Sequence, residues 1–423
     1  MDIYIHKDAV GFSQHLVCQS DTRKILKVKE LPDTPLVYGT QQFEEIAHLH
    51  GLTSPEFPPA SHKKALQTAL AGQEVSRVPW ALTMPQSVFL GALRELGDYL
   101  IDNFSSLDLE YYLTHVKATS EVFDHLQPAK IDPVAWKVFG EDKHATQIIR
   151  SFEPDQLGFA QDVVYSRETK TGRTKVVSGP KILSLPKDKR SLLTSRFGRK
   201  GKIISLDYRS LEPWVALALG GDPSTTITIP PSSSLLGYPP LAPSPTVVED
   251  LYAHISKKLG ISEIPRNTVK EVVLSQLYGA SRETVVSKLD SVRDADGLIE
   301  LLDDFFGLQK MRQRLKEENE ASGRTFLKSY FGRHVDTREA EDYMLLNYFI
   351  QSTAVDVALY GFKRVLEAIE GDTKIVPLFL VIDSIVLDVH EEAEGRLPEL
   401  CKVGSQGIPL FPGFTFPLKA ERF

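Results

Sequence analysis

The chain has 423 residues, 42% of them apolar and 25% charged, which is the balance of a globular protein with two or three domains and ample length to bury a core. No apolar run approaches the ~18 residues of a membrane span, and the opening MDIYIHKDAV lacks the basic-then-apolar layout of a secretory signal. Two cysteines, Cys18 and Cys401, exclude a disulfide framework or a thiolate zinc site, and the net charge of -7 argues against a polyanionic partner for the chain as a whole.

These numbers predict a cytoplasmic protein with no membrane partner, whose cysteines are free buried thiols. The first 108 residues mix short strands, at Ile3 to Ile5 and Ile25 to Val28, with helical stretches at Ser61 to Leu70 and Ser87 to Ile101. No catalytic motif is legible there. From Leu109 to Glu153 the pattern is mostly helical, broken at Pro128 and Pro133. His254, His334 and His390 lack the spacing of zinc ligands and read as structural.

Between Arg167 and Lys202 twelve cations face only Glu168 and Asp188. That stretch is either a phosphate-binding surface inside an acidic protein or a solvated basic face. TKTGRTK and SGPK read within it as turns between short strands. Next, Ile203, Ile204 and Leu206 predict a buried strand that ends at Asp207. Ser210 is placed to cap a helix whose first turn tolerates Pro213, and Gly220 and Gly221 end it. A Pro/Ser-rich stretch, 223–246, reads as an exposed insertion. Helices are expected from Val247 to about Ala340 and one long helix over Tyr343 to Glu367, with the last fifty residues strand-like.

In RNTVKEVVLSQLYGAS, Arg266, Lys270, Leu274 and Tyr278 recur at intervals of four. They line one drifting helix face over about 18 Å. Such a face either holds a nucleoside triphosphate lengthwise, phosphates on the cations and sugar and base near Leu274 and Tyr278, or is an ordinary amphipathic surface. In FLVIDSIVLDVH an acid, Asp383, interrupts an apolar run. Desolvating an unpaired carboxylate is costly, so it must meet water at a turn or a positive group. A short Asp-Ser turn at the tip of a β-hairpin satisfies the first condition. Two acids at strand ends, Asp207 and Asp383, and a cationic helix are the parts of two-metal phosphoryl transfer, the acids sharing two Mg²⁺ ions, with Mn²⁺ as a substitute.

With those residues in view, the chain resembles family A DNA polymerases over about residues 165 to 423. DYRSLEPWVALALGGD is similar to that family's motif A, RNTVKEVVLSQLYG to motif B, and LVIDSIVLDV to motif C. TGR at Thr171 to Arg173, ILSLP, EDLYAHI, LKSYFGRHV and NYFIQSTAVD resemble further segments in the same order. The resemblance implies an α+β right-hand fold: palm in 165–222 and 346–423 around an antiparallel sheet, helical fingers in 223–345, and a reduced helical thumb in 109–164.

It further implies Asp207, Asp383 and Tyr208 at the metals, Lys270 as proton donor to leaving pyrophosphate, and Arg266, Lys270, Leu274, Tyr278, Tyr208 and Glu212 around the nucleotide. Glu212 falls on the acid that excludes a ribose 2′-hydroxyl, and Tyr278 on the residue that holds it. Arg173, Asn347, Gln351, Lys181 and Arg333 fall at DNA contacts. The implied partners are primer-template DNA and dNTPs, with a separate exonuclease, helicase-primase or processivity factor as candidate for the first 108 residues. Too little chain precedes the thumb for the family's proofreading exonuclease, and the small size suggests a phage or mobile-element enzyme.

The departures are informative. Leu274 and Ser275 replace an aromatic residue and a glycine, Ile382 and Ser384 replace His and Glu of motif C, and Ser210 and Trp214 replace Gln and Arg of motif A. The motif B and C changes lean toward single-subunit RNA polymerases; Glu212 leans back toward deoxynucleotides. An RNA polymerase or primase, and a degenerate polymerase fold kept as a DNA-binding subunit, are the alternatives.

Overall fold

The computed structural model describes residues 1–60, 63–64, 80–142, 145–220, 250–289 and 294–423. The expected helix at Ser61 to Leu70 falls almost wholly outside the described residues, and the Pro/Ser-rich stretch entirely so. The chain divides into two units, Met1–Tyr112 and Leu113–Phe423.

In the first unit, β1 (Ile3–Ile5) turns its two isoleucines inward, both fully buried. It pairs antiparallel with β2 (His15–Cys18), which pairs with β3 (Ile25–Val28), and parallel with β4 (Val37–Tyr38). Helix α1 (Gln41–Leu49) starts at Thr40, whose hydroxyl accepts from the Phe43 N–H. Helix α2 (Gln86–Phe104) buries Phe89, Leu93, Leu96, Leu100 and Phe104, a stripe at three- and four-residue spacing. Cys18 is buried, and burial pushes its thiol up to about 12; Cys401 is half-buried.

The second unit opens with α3 (Lys117–Asp124) and α4 (Pro133–Gly140), the latter capped by Asp132 with Pro133 at its first position. A hairpin of β5 (Val164–Ser166) and β6 (Lys175–Ser178) carries Thr171, Gly172 and Arg173 in its connection. Strand β7 (Gly201–Tyr208) then leads into α5 (Leu211–Gly220). Helices α6 (Leu251–Lys258), α7 (Arg266–Leu277), α8 (Ala295–Phe306) and α9 (Leu308–Ala321) follow. The long α10 (Leu345–Ala368) comes next, and β8 (Ile375–Val381), β9 (Ser384–His390), α11 (Leu397–Ser405) and β10 (Leu418–Arg422) complete the unit.

Two local expectations give way here. Phe326–Lys328 and His334–Asp336 pair as an antiparallel hairpin inside the stretch read as helical. Its turn runs through Gly332 at φ 95°, a conformation glycine adopts without strain. The strand-like C-terminal region contains α11, whose signals are short and local: Pro398 in the first turn, Glu399 near the start and Lys402 near the end.

The central sheet has the order β8-β9-β7-β10, every neighbour antiparallel. Strands β8 and β9 are buried on both faces, so β8 reads as a continuous apolar run rather than an alternation. On one face Tyr208 meets α10 and α11: its ring lies 5.6 Å from that of Phe362, and its hydroxyl donates to the Gly404 carbonyl. Gly361 is required there, because a Cβ would stand 1.6 Å from the Tyr208 oxygen. On the other face Ile203, Phe379 and Val386 join a core with Ile182, Leu185 and Leu192. Asp207 belongs to this second face, at the end where the apolar cover stops.

Candidate active site

Register brings the acids together. Asp207 is directly opposite Ser384 in the β7-β9 pair, and the Tyr208 N–H donates to the Asp383 carbonyl at 3.1 Å. Val381 pairs with Ser384, so the hairpin closes over two residues, Ile382 and Asp383, and not over the Asp-Ser pair expected from the sequence. Ile382 has φ 59°, the positive first position of a type II′ turn, and it is a β-branched residue where glycine is usual. Ser384 is the first strand residue; its hydroxyl donates to the Val381 carbonyl at 3.0 Å. Ser210, expected to cap α5, precedes it at φ 53°, and its carbonyl accepts from the Trp214 N–H at 3.1 Å. One positive-φ side-chain residue thus adjoins Asp383 and another follows Asp207 by three positions, a recurrent mark of functional sites.

The electrostatics follow from this packing. Burial, then the charges of Asp383 and Glu421, push the Asp207 carboxyl up to about 7, against the pull of Arg190 and Lys187. Burial also raises Asp383; Glu212 adds to the rise and Arg173 opposes it. A pair of desolvated carboxylates, each held above its ordinary range, is a site that a cation would relieve. Among the described residues no group of three or more His, Cys, Asp or Glu could hold an ion alone. Two carboxylates suit Mg²⁺, which keeps waters and takes remaining oxygens from phosphate.

Glu212 sits in the first turn of α5, where the helix dipole favours an acid. One carboxylate oxygen accepts from Arg173 at 2.6 Å, the other from the Tyr278 hydroxyl. Burial and the Glu212 charge raise the Tyr278 phenol, which keeps it a protonated donor. Arg173, Glu212, Gln351, Leu380, Ile382 and Asp383 line one depression. Gln351 accepts from the Thr171 hydroxyl at 2.6 Å, which ties α10 to the loop bearing Arg173.

Helix α7 ends at Leu277, earlier than the sixteen-residue segment read as helical, because Gly279 at φ 75° turns the chain. A Cβ on Gly279 would lie 2.3 Å from the Tyr343 carbonyl. The opposite face of α7 buries Val269, Val272 and Val273, leaving Arg266 and Lys270 exposed and Leu274 half-buried. Tyr278 is 44% exposed. Arg266 bonds Asp250 and lies 5.2 Å over the Tyr252 ring.

Other expected residues are placed differently. Arg333 is 1% exposed, 3.5 Å from Asp356, and packed under Gly172. It is an interior residue and has no surface with which to meet DNA. The Tyr208 phenol is buried on the face away from Asp207, so only its backbone remains on the side of the acids. Asn347 is half-buried one turn before Gln351, and Lys181 is exposed with no described contact to the acids. Arg190, Lys187 and Glu421 were missed. The two cations lie in the basic segment and were legible as charge; Glu421 reaches Asp207 only because β10 pairs with β7.

No protein-family model and no curated protein matches the chain. Among solved structures it is similar to the Pol domain of Pol1 from M. smegmatis, determined with DNA primer-template and dNTP, with a TM-score of 0.52 and 14% identity over 99% of this chain and 94% of that one. The likeness is one of fold. This chain has a mixed α/β architecture with antiparallel sheets and many helices, similar to that domain. No helix among the described residues is long and apolar enough to cross a membrane.

Proposed function

We propose that the chain is a template-directed DNA polymerase of divergent family A type, which adds dNTPs to a primer 3′ end by two-metal phosphoryl transfer. The observation that carries this reading is the desolvated pair Asp207 and Asp383 at adjoining strand ends, with Glu212 beside it bonded to Tyr278 of the cationic helix segment. Asp207 and Asp383 would hold Mg²⁺, which lowers the pKa of an attacking hydroxyl and stabilises the leaving pyrophosphate when bound.

The chain's own groups do the rest. Arg266 and Lys270, exposed on one face of α7, neutralise the triphosphate, and Lys270 delivers a proton to pyrophosphate. Leu274 and Tyr278 border the base and sugar. Gln351, Asn347 and Arg173 face the minor groove of primer-template DNA, where every base pair offers acceptors. Glu212 excludes the ribose 2′-hydroxyl. The two serines that lean toward RNA polymerases have structural tasks: Ser384 closes the hairpin, and buried Ser275 accepts from Lys288 at 3.0 Å. The central sheet would be the palm, α6 to α9 the fingers, and α3 and α4 a reduced thumb, with the first unit open to a replication partner.

A labelled primer-template extended with dNTPs or rNTPs tests the proposal. Wild type extends with dNTPs, and Asp383→Ala loses at least about a hundredfold. Equal extension by both would overturn the catalytic assignment. DNA binding without incorporation under any metal would indicate a degenerate fold.

A further inference from the structure

We propose that Arg173 is a positioning residue for sugar selection, acting through Glu212. This rests on the polymerase reading above and names a device within it.

Glu212 has two carboxylate oxygens, and each accepts from one donor. Arg173 donates to Oε1 at 2.6 Å from the β5-β6 connection, and Tyr278 donates to Oε2 from the end of α7. The two donors come from different segments, so the carboxylate is held from both sides. Its side chain is only 13% exposed, so a third partner has little room to approach it. A carboxylate with one free, mobile oxygen would receive a ribose 2′-hydroxyl as a hydrogen-bond donor and would stop discriminating. Held at both oxygens and little exposed, it cannot turn its remaining lone pairs toward the sugar, and it presents bulk. Admitting ribose then means breaking a charge-assisted bond as well as relieving a clash.

Arg173 is itself held. Gly172 precedes it at φ 78°, and a Cβ there would stand 2.3 Å from the buried Arg333 guanidinium. Thr171 bonds Gln351 on α10. The loop therefore delivers Arg173 to Glu212 from a fixed anchor, and Arg333 acts as the floor beneath it. Arg173 remains 42% exposed at its side chain, which leaves guanidinium nitrogens open to a duplex while one is spent on Glu212.

The test is the ratio of kcat/KM for a dNTP to that for the matching rNTP on one primer-template with Mg²⁺, in wild type, Arg173→Ala, Arg173→Lys and Glu212→Ala. A general loss of DNA contact lowers both numbers and leaves their ratio alone. The expected result is a fall in the ratio on the order of tenfold in Arg173→Ala, mostly through a lower rNTP KM, with partial recovery in Arg173→Lys. In Glu212→Ala the ratio also falls, and adding Arg173→Ala has no further effect. For variants too slow to turn over, the ratio of dNTP to rNTP affinity on a dideoxy-terminated primer gives the same comparison. An unchanged ratio in Arg173→Ala, or additive effects in the double variant, overturns the assignment to Arg173 while leaving the polymerase reading intact. A wild type that incorporates neither nucleotide overturns that reading, and this inference with it.

Discussion

The backbone N–H of Tyr208 donates to the backbone carbonyl of Asp383 at 3.1 Å, which fixes the end of one central strand to the tip of the neighbouring hairpin. Because Asp207 immediately precedes Tyr208, this bond sets the separation of the two acids. Neither can move without breaking the ladder between β7 and β9.

Asp207 predicts a pH dependence. Its carboxyl in the folded chain lies up at about 7, above the ~3.9 of an unfolded chain. Between about pH 4 and pH 7 the native state keeps a proton that the unfolded state has released, so metal-free stability falls as pH rises through that window. Asp207→Asn removes the dependence. By urea denaturation the variant should exceed wild type by about 1 kcal/mol or more at pH 8 and match it near pH 4. The opposite slope would mean that Asp207 is paired rather than desolvated. Mg²⁺ competes with the same proton, so raising its concentration should shift the acid limb of extension activity to lower pH.

Glu212→Ala should raise rNTP incorporation relative to dNTP by about tenfold or more, measured by competing the two on one template. Tyr278→Phe, which keeps the ring and removes only the donor to Glu212, should move the ratio in the same direction by less. If Glu212→Ala leaves the ratio unchanged, sugar choice lies elsewhere.

Gly172→Ala should destabilise the second unit by about 2 kcal/mol or more, because φ 78° disfavours a side chain and the new Cβ meets the Arg333 guanidinium. Thermal denaturation reads this directly. Asp356→Ala, which removes an acid beside the buried guanidinium, should cost about 3–5 kcal/mol. Values near zero for both would mean that Arg333 is not confined as the packing requires.

Ile382→Gly should stabilise the fold by about 1 kcal/mol, since the turn needs a positive φ and more than half of the isoleucine surface is already exposed. Denaturant midpoints measure the gain. The same change should lower extension if the stiff, branched residue holds Asp383 in place.

Local chemistry accounts for what was readable in advance. Alternation and apolar runs located β7, β8 and β9, and the four-residue spacing predicted which side of α7 faces outward, because each depends on periods a few residues long. The helix expected over Tyr343 to Glu367 is found at Leu345–Ala368 for the same reason. Arg333 was expected at DNA because LKSYFGRHV resembles a family segment, and such a likeness carries no information on burial; packing under Gly172 makes it interior. The turn falls on Ile382 and Asp383 rather than on Asp383 and Ser384 because Ser384 pairs with Val381, a register that depends on the whole hairpin.

The amino-acid sequence by itself determined strands β7, β8 and β9 of the central sheet, the long helix, the two strand-end acids and the cationic helix face, since propensity, period and charge are properties of neighbouring residues. Only the tertiary structure decided which side chains share a charge: Asp207 with Asp383 and Glu421, Glu212 with Arg173 and Tyr278. Those pairs are far apart along the chain, and their distances are set by strand register and by the packing of helices on the sheet.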